Sequence, residues 1–183
     1  LLKLDDTRSS AVLRESEAKV QNLEAMIARL KAEAYGKELS FPKNVSNELR
    51  QREHAAYVAR RRAVTDAVSS LTASKAALDK EIEITAPMVA QGVVSEVELL
   101  RMRRQSSELT LQITERRNRY MADANNELVQ AESELAQAKE NMAMRADPVD
   151  RSQIRAPMRG IVKDIQINTV GGVVNVGQDI MQI

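Results

Sequence analysis

Residues 85–100 read TAPMVAQGVVSEVELL, and the fold turns on them. Upstream lies a long helical pattern, which Pro87 perturbs because proline has no N–H and its ring clashes with the preceding turn. Gly92 supplies the permissive backbone on which a helix ends. A new start signal follows at once. Ser95 is placed to accept from the N–H of Glu98, with the Glu98 side chain reaching back to the N–H of Ser95, and Val94 and Leu99 sit where a hydrophobic staple would fix the entry angle. A helix, a tight turn and a second capped helix predict a hairpin tip. The tip, residues 88–98, is the expected partner contact, carried by Met88, Gln91, Gly92, Val93, Val94, Ser95, Val97 and Glu98.

The flanking segments carry the seams that such a hairpin needs. Leu13, Ser16, Val20, Leu23, Ile27, Leu30 and Ala34 step by three and four, a coiled-coil spacing on a helix from about Thr7 to Tyr35. Gly36 and the stretch GKELSFPKN then break the pattern. A second helix, from near Ser46 to about Gln91, has its seam at Tyr57, Arg60, Val64, Val68, Leu71, Lys75, Leu78 and Ile82, with weaker packing before Tyr57. The third, from Ser95 to about Arg145, uses Leu99, Met102, Ser106, Leu109, Ile113, Arg116 and Tyr120, then Leu128, Ala131, Leu135, Ala138 and Met142. From Tyr120 to Ala131 the step is about eleven residues, a stutter that unwinds a left-handed supercoil locally. At 1.5 Å per residue the third helix should measure roughly 75 Å, and Asp147 with Pro148 should end it.

Helix lengths constrain the path. The first two helices together exceed the third by roughly 20 residues, or about 30 Å. If both chain ends belong to one small β unit, those two helices are not stacked end to end. The linker after Gly36 should double back, making part of the bundle three helices thick, with Leu23, Ile27 and Leu30 against the third helix around residues 128–142.

Residues 1–5, LLKLD, alternate as a short strand does. From Ser152 the texture becomes QIRAPMRGIVKDIQINTVGGVVNVGQDIMQI, β-branched runs punctuated by Gly160, Gly171–Gly172 and Gly177, which predicts about four short strands joined by tight turns. Residues 1–5 should pair with the segment around residues 153–156, the entry and exit of the hairpin. Ile161, Val173, Val174 and Ile180 would then leave a partly exposed apolar face. The chain opens in mid-pattern and closes on a strand-like run, so it reads as part of something larger.

Composition narrows the function classes. Aromatics make up 2% of 183 residues and tryptophan is absent, the profile of long helices packed through narrow seams. With 27 basic against 26 acidic residues, nothing calls for nucleic acid, and Arg60, Arg61 and Arg62 read as a solvated helix face without an aromatic stacking platform. There is no cysteine, hence no disulfide frame and no thiolate nucleophile. No apolar run approaches the roughly 20 residues of a membrane span. The single histidine, His54, makes no metal site and reads as a surface residue; the eight methionines read as packing. No catalytic set, cofactor site or metal spacing stands out, so catalytic, cofactor-binding and metal residues are all expected to be none.

The C-terminal strands carry a resemblance. Arg155-Ala156-Pro157-Met158-Arg159-Gly160-Ile161-Val162, then Thr169-Val170-Gly171-Gly172-Val173-Val174, then Gly177-Gln178-Asp179-Ile180-Met181 resemble the second half of the lipoyl-like domain of HlyD-type membrane fusion proteins. LLKLDD looks like the last strand of that domain's first half. In this family a long helical hairpin separates the two halves, and Gly92-Val93-Val94-Ser95-Glu96-Val97-Glu98-Leu99-Leu100 looks like the tip in adaptors that serve secreted proteases, lipases and adhesins. The resemblance implies a mainly α fold: an antiparallel coiled-coil hairpin at 7–150 inserted into a partial, barrel-sandwich β domain at 1–6 and 151–183. It also implies a non-enzymatic periplasmic adaptor of type I secretion in a Gram-negative bacterium. The implied partners are an inner-membrane ABC transporter, a TolC-like outer-membrane channel and further copies in a ring of six, with anchoring in the inner membrane. Drug-efflux adaptors carry an Arg, a Leu and a Ser around the tip; the matching positions here are Ile84, Met88 and Ser95, so only the Ser is kept. Lys163 sits in a strand pattern without flanking methionines, unlike the modified lysine of a true lipoyl or biotinyl carrier. The alternatives are a cytosolic coiled-coil scaffold with a small β domain, an efflux-pump adaptor and a cofactor-carrier subunit.

Overall fold

The computed structural model describes residues 2–155, 159–166, 171–175 and 177–182. The order is β1 (Leu2–Lys3), α1 (Thr7–Tyr35), α2 (Asn47–Ala90), α3 (Glu96–Arg151), β2 (Gln153–Ile154), β3 (Asp164–Ile165) and β4 (Met181–Gln182). The protein is mainly helical. Its contacts divide it into two compact units, Leu1–Arg14 with Met142–Ile183, and Glu15–Asn141.

In the first unit β1 pairs antiparallel with β2, Leu2 opposite Ile154 and Lys3 opposite Gln153, and the Leu4 N–H donates to the Ser152 carbonyl at 2.8 Å. The expected pairing of the chain's first residues with the segment near 153 is therefore present; Leu1 and Ala156 lie outside the described residues. β3 pairs antiparallel with β4 in a separate two-stranded sheet. Among the described residues the C-terminal segment forms three two-residue strands, fewer and shorter than the expected four. Residues 156–158, 167–170, 176 and 183 of this segment lie outside the described residues. Ile161 (89%) and Val173 (85%) are widely exposed, whereas Val174 and Ile180 are half-buried.

α1 begins where Asp5 Oδ1 accepts from the Thr7 N–H (3.0 Å) and hydroxyl (2.6 Å). α3 overruns its expected end: it continues through Pro148 to Arg151. A proline removes one donor near a helix end, and here the Ser152 N–H still reaches the Pro148 and Val149 carbonyls at 3.2 Å while Arg151 pairs with Asp147 at 2.9 Å. At 56 residues α3 rises about 84 Å.

In the second unit the seam of α1 is buried from Ser16 through Val20, Leu23, Ile27 and Leu30. Ile27 and Leu30 meet Ala124, Leu128 and Ala131 of α3, with Met26, Ala34 and Leu135 packed around them. That core starts four residues earlier on α3 than expected. Ala124 fills the stutter: Tyr120, Ala124, Leu128 and Ala131 step four, four and three, and a small side chain lets a third helix approach. On the expected seam Arg116 is exposed, which is a correction; the others are buried or half-buried.

Ion pairs give the helix directions. Lys31 meets Glu132 at 2.9 Å and Glu24 meets Lys139 at 2.8 Å, so α1 and α3 are antiparallel. Arg60 meets Glu127 and Asp79 meets Ser106, so α2 and α3 are antiparallel as well. Arg29 meets Glu53 and Glu33 meets Arg60, numbers that rise together, so α1 and α2 run parallel. The linker at 36–46 must therefore run back along α1. Asn44 donates to Glu24 at 2.6 Å on the way, Val45 is buried, and Ser46 Oγ caps α2 from the Leu49 N–H at 3.3 Å.

A buried charge network occupies the three-helix stretch. Arg29 donates to Glu53 (2.8 Å) and Glu33 (2.9 Å). Arg60 lies 3.4 Å from Glu33 and forks onto both oxygens of Glu127 at 2.8 and 2.9 Å. Burial pulls the Arg29 guanidinium down, but Glu53 and Glu33 more than offset it and raise it overall. Burial first, then the Glu33 charge, push the Tyr120 hydroxyl up to about 12. Hydrogen bonds from Arg60 hold Glu127, and bonds from Lys139 and Asn44 hold Glu24, below the ordinary carboxylate value of 4.5. Because these folded-state values are depressed, the stability they add is present above about pH 4.5 and is lost as pH falls through the lower folded values. Glu24→Gln/Glu127→Gln is therefore expected to flatten the decline in melting temperature on acidification below that point, measured by circular dichroism; an unchanged profile would show that other groups control it.

Candidate functional site: the turn between α2 and α3

The turn is built from backbone hydrogen bonds. Gln91 caps α2, Gly92 follows at φ 73°, the Gly92 N–H donates to Val89 O at 3.0 Å, and the Val93 N–H donates to Met88 O at 2.9 Å. That 6→1 and 5→2 pair is a Schellman motif, whose left-handed residue is glycine because a Cβ is strained there. No heavy atom lies within 4 Å of a Cβ placed on Gly92, so backbone strain alone opposes substitution. Gly92→Ala is expected to cost about 1 kcal/mol of local stability, read as faster amide exchange at Val93 with the global melting temperature unchanged.

Ser95 opens α3, but not by the expected capping box. Its Oγ accepts from the Val97 N–H at 3.2 Å, and the Glu98 N–H goes to the Ser95 carbonyl at 3.1 Å. The Glu98 carboxylate turns away to Arg101 at 3.4 Å. A tight first turn brings the second amide, rather than the third, onto the serine hydroxyl, and Arg101 offers the carboxylate a charged partner one turn on.

Every expected contact residue falls in this turn. Met88, Gln91, Gly92, Val93, Ser95 and Val97 are exposed; Val94 and Glu98 are half-buried, and Leu99 is buried. Val93 is 66% and Val97 68% exposed. The apolar surface is wider than expected. Ile84 lies one turn before Met88 on α2, and Leu100 three residues after Val97 on α3, both more than half exposed. The i, i+4 and i, i+3 relations place each pair on one face. Absence from the seam was the signal that could have found them, since an apolar residue off the seam points outward.

Below the turn the largely apolar seam carries two polar members, Lys75 and Ser106. Lys75 pairs with Asp79, which also accepts from the Ser106 hydroxyl at 2.6 Å. The Lys75 bond, then the Ser106 bond, hold Asp79 below its ordinary value. Sequence reading placed Lys75 and Ser106 on the seam but missed the carboxylate that satisfies both.

Elsewhere the surface offers little chemistry. A cleft of ≈ 530 Å³ borders His54, Tyr57 and Tyr120, and another of ≈ 450 Å³ borders Arg116 and Arg119. Glu33 also lines the first, its buried side chain held by Arg29 at 2.9 Å. Among the described residues no group of His, Asp and Glu could hold a metal ion, and no helix is long and apolar enough to cross a membrane. Of the basic run, Arg61 over the Tyr57 ring and Arg62 with Asp66 are exposed as expected, whereas Arg60 is half-buried and pairs across to Glu127 of α3, a correction to the expected solvated face.

No family profile and no curated protein matches the chain. A solved structure does: the crystal structure of the soluble domain of LipC, a membrane fusion protein of a type I secretion system. The match covers 98% of this chain and 86% of that one, with a TM-score of 0.59 and 18% sequence identity. The chain has the fold of the LipC soluble domain. Its three helices and short strands are thus an arrangement already seen in a membrane fusion protein, which fits the expected mainly α class.

Proposed function

We propose that the protein is a non-enzymatic adaptor of type I protein secretion. In this reading it joins an inner-membrane ABC transporter to a TolC-like outer-membrane channel, several copies packing side by side, in a ring of six on the family pattern. It works in the periplasm and is anchored in the inner membrane through another part of the full-length protein. The hairpin lies at 7–150, inserted into a lipoyl-like β domain at 1–6 and 151–183, and the turn at 88–98 meets the channel. The observation that carries the reading is the likeness to the LipC soluble domain along nearly the whole chain. Two features of the helices support it. Exposed apolar side chains at a polar hairpin's turn mark partner surfaces, and Ile84, Met88, Val93, Val97 and Leu100 are such side chains. Long helices with apolar seams flanked by ion pairs make a stiff spacer and need no cofactor. The cargo class suggested by the tip motif is a protease, lipase or adhesin.

The test is genetic and biochemical. Removing the gene should stop export of one substrate class while leaving the cognate transporter folded in the membrane and its ATPase active. Affinity purification of the full-length protein in mild detergent should bring down an ABC exporter. Normal export without the gene would overturn the proposal.

A further inference from the structure

The apolar seam leaves the position of α1 along its partners ambiguous. Sliding α1 by one heptad, about 10 Å, puts Val20 where Ile27 was and Leu23 where Leu30 was, and seam still meets seam. The linker at 36–46 does not forbid the slide, since extended chain reaches about 3.3 Å per residue. The charges do discriminate. Arg29 bonds Glu53, and Glu33 lies against Arg60. Glu53 and Arg60 are one heptad apart on α2. Sliding α1 forward by a heptad sets Arg29 opposite Arg60; sliding it back sets Glu33 opposite Glu53. Either error buries like charges together, because Arg29, Glu33 and Glu53 are all buried in the three-helix stretch.

We propose that this charge network, and not the apolar seam, selects the register in which α1 lies against α2 and α3. A buried ion network contributes little net stability compared with an apolar replacement but can specify one arrangement among near-equals. The inference is independent of the secretion reading, since it concerns only how Glu15–Asn141 packs.

The chain has no cysteine, so spin labels can be placed at Lys19→Cys on α1 and Asn126→Cys on α3, both exposed and outside the network. The starting protein should give one narrow distance distribution by pulsed electron spin resonance. The polarity-swapped variant Glu53→Arg/Arg60→Glu/Glu127→Arg keeps the α2–α3 pair but moves the attractive partner of Arg29 to position 60. Its label distance should shorten by about 10 Å, one heptad. Adding Arg29→Glu/Glu33→Arg should restore the original distance. An unchanged distance in the three-residue variant would overturn the proposal and leave the register to the seam, to the Lys31–Glu132 and Glu24–Lys139 pairs, or to β1–β2 pairing. If the three-residue variant gives no single distance, the five-residue variant decides: failure to recover the original distance overturns the proposal, and recovery supports it.

Discussion

Leu128→Ala is expected to lower the unfolding free energy by about 3 kcal/mol, within the 2–5 kcal/mol typical of buried Leu→Ala changes. Leu128 is 1% exposed and packs with Leu30, Ile27, Ala124 and Ala131, where α1, packed on α3, adds a third helix to the α2–α3 pair. The lost methyl groups leave a cavity that two long helices held by ion pairs on either side cannot easily collapse. Leu111 on the same helix is 56% exposed and supplies the control. Leu111→Ala should change stability by no more than about 0.5 kcal/mol. Urea unfolding followed by circular dichroism measures both. Equal effects at the two positions would mean that α1 is not packed on α3.

The second large effect concerns function. Val93→Asp is expected to abolish export while leaving folding intact. Val93 contributes its N–H to the turn, but its side chain is 66% exposed, so a carboxylate there meets water and costs little in the isolated protein. In an apolar contact with a partner, the same carboxylate would be desolvated without a counter-charge, a penalty of several kcal/mol. Gly92→Pro is less clean, because proline can adopt neither φ 73° nor donate the bond to Val89 O. It should fray the turn itself. Secretion of cargo into the medium, set against periplasmic levels of the variant, measures the effect. A Val93→Asp protein that secretes normally removes the turn from the docking surface.

Much of this was legible in the sequence because helices announce themselves by period and punctuation. The three- and four-residue steps from Ser16 to Leu30 placed α1, Ser46 placed the start of α2, and Gly92 placed its end. The doubling back of the linker came from helix lengths alone, and Asn44 on Glu24 bears it out. Three things were not legible. The extent of α3 past Pro148 depends on whether neighbouring groups take over a lost hydrogen bond. The failed capping box at Ser95 reflects competition from Arg101 for Glu98, which single-sequence spacing does not weigh. The buried charges are the deepest case. Arg29, Glu33 and Glu53 look like solvated helix faces until a third helix covers them, so tertiary packing decides their meaning.

The most direct test of the adaptor reading is a photo-crosslinking amino acid at position 97, introduced into the full-length protein in cells. Val97 is 68% exposed and lies in the first turn of α3. Irradiation should join it to a subunit of the outer-membrane channel, with the same probe at position 129, also exposed on α3, giving no such adduct. Equal capture of the channel from both positions, or capture from position 129 alone, would contradict docking through the turn.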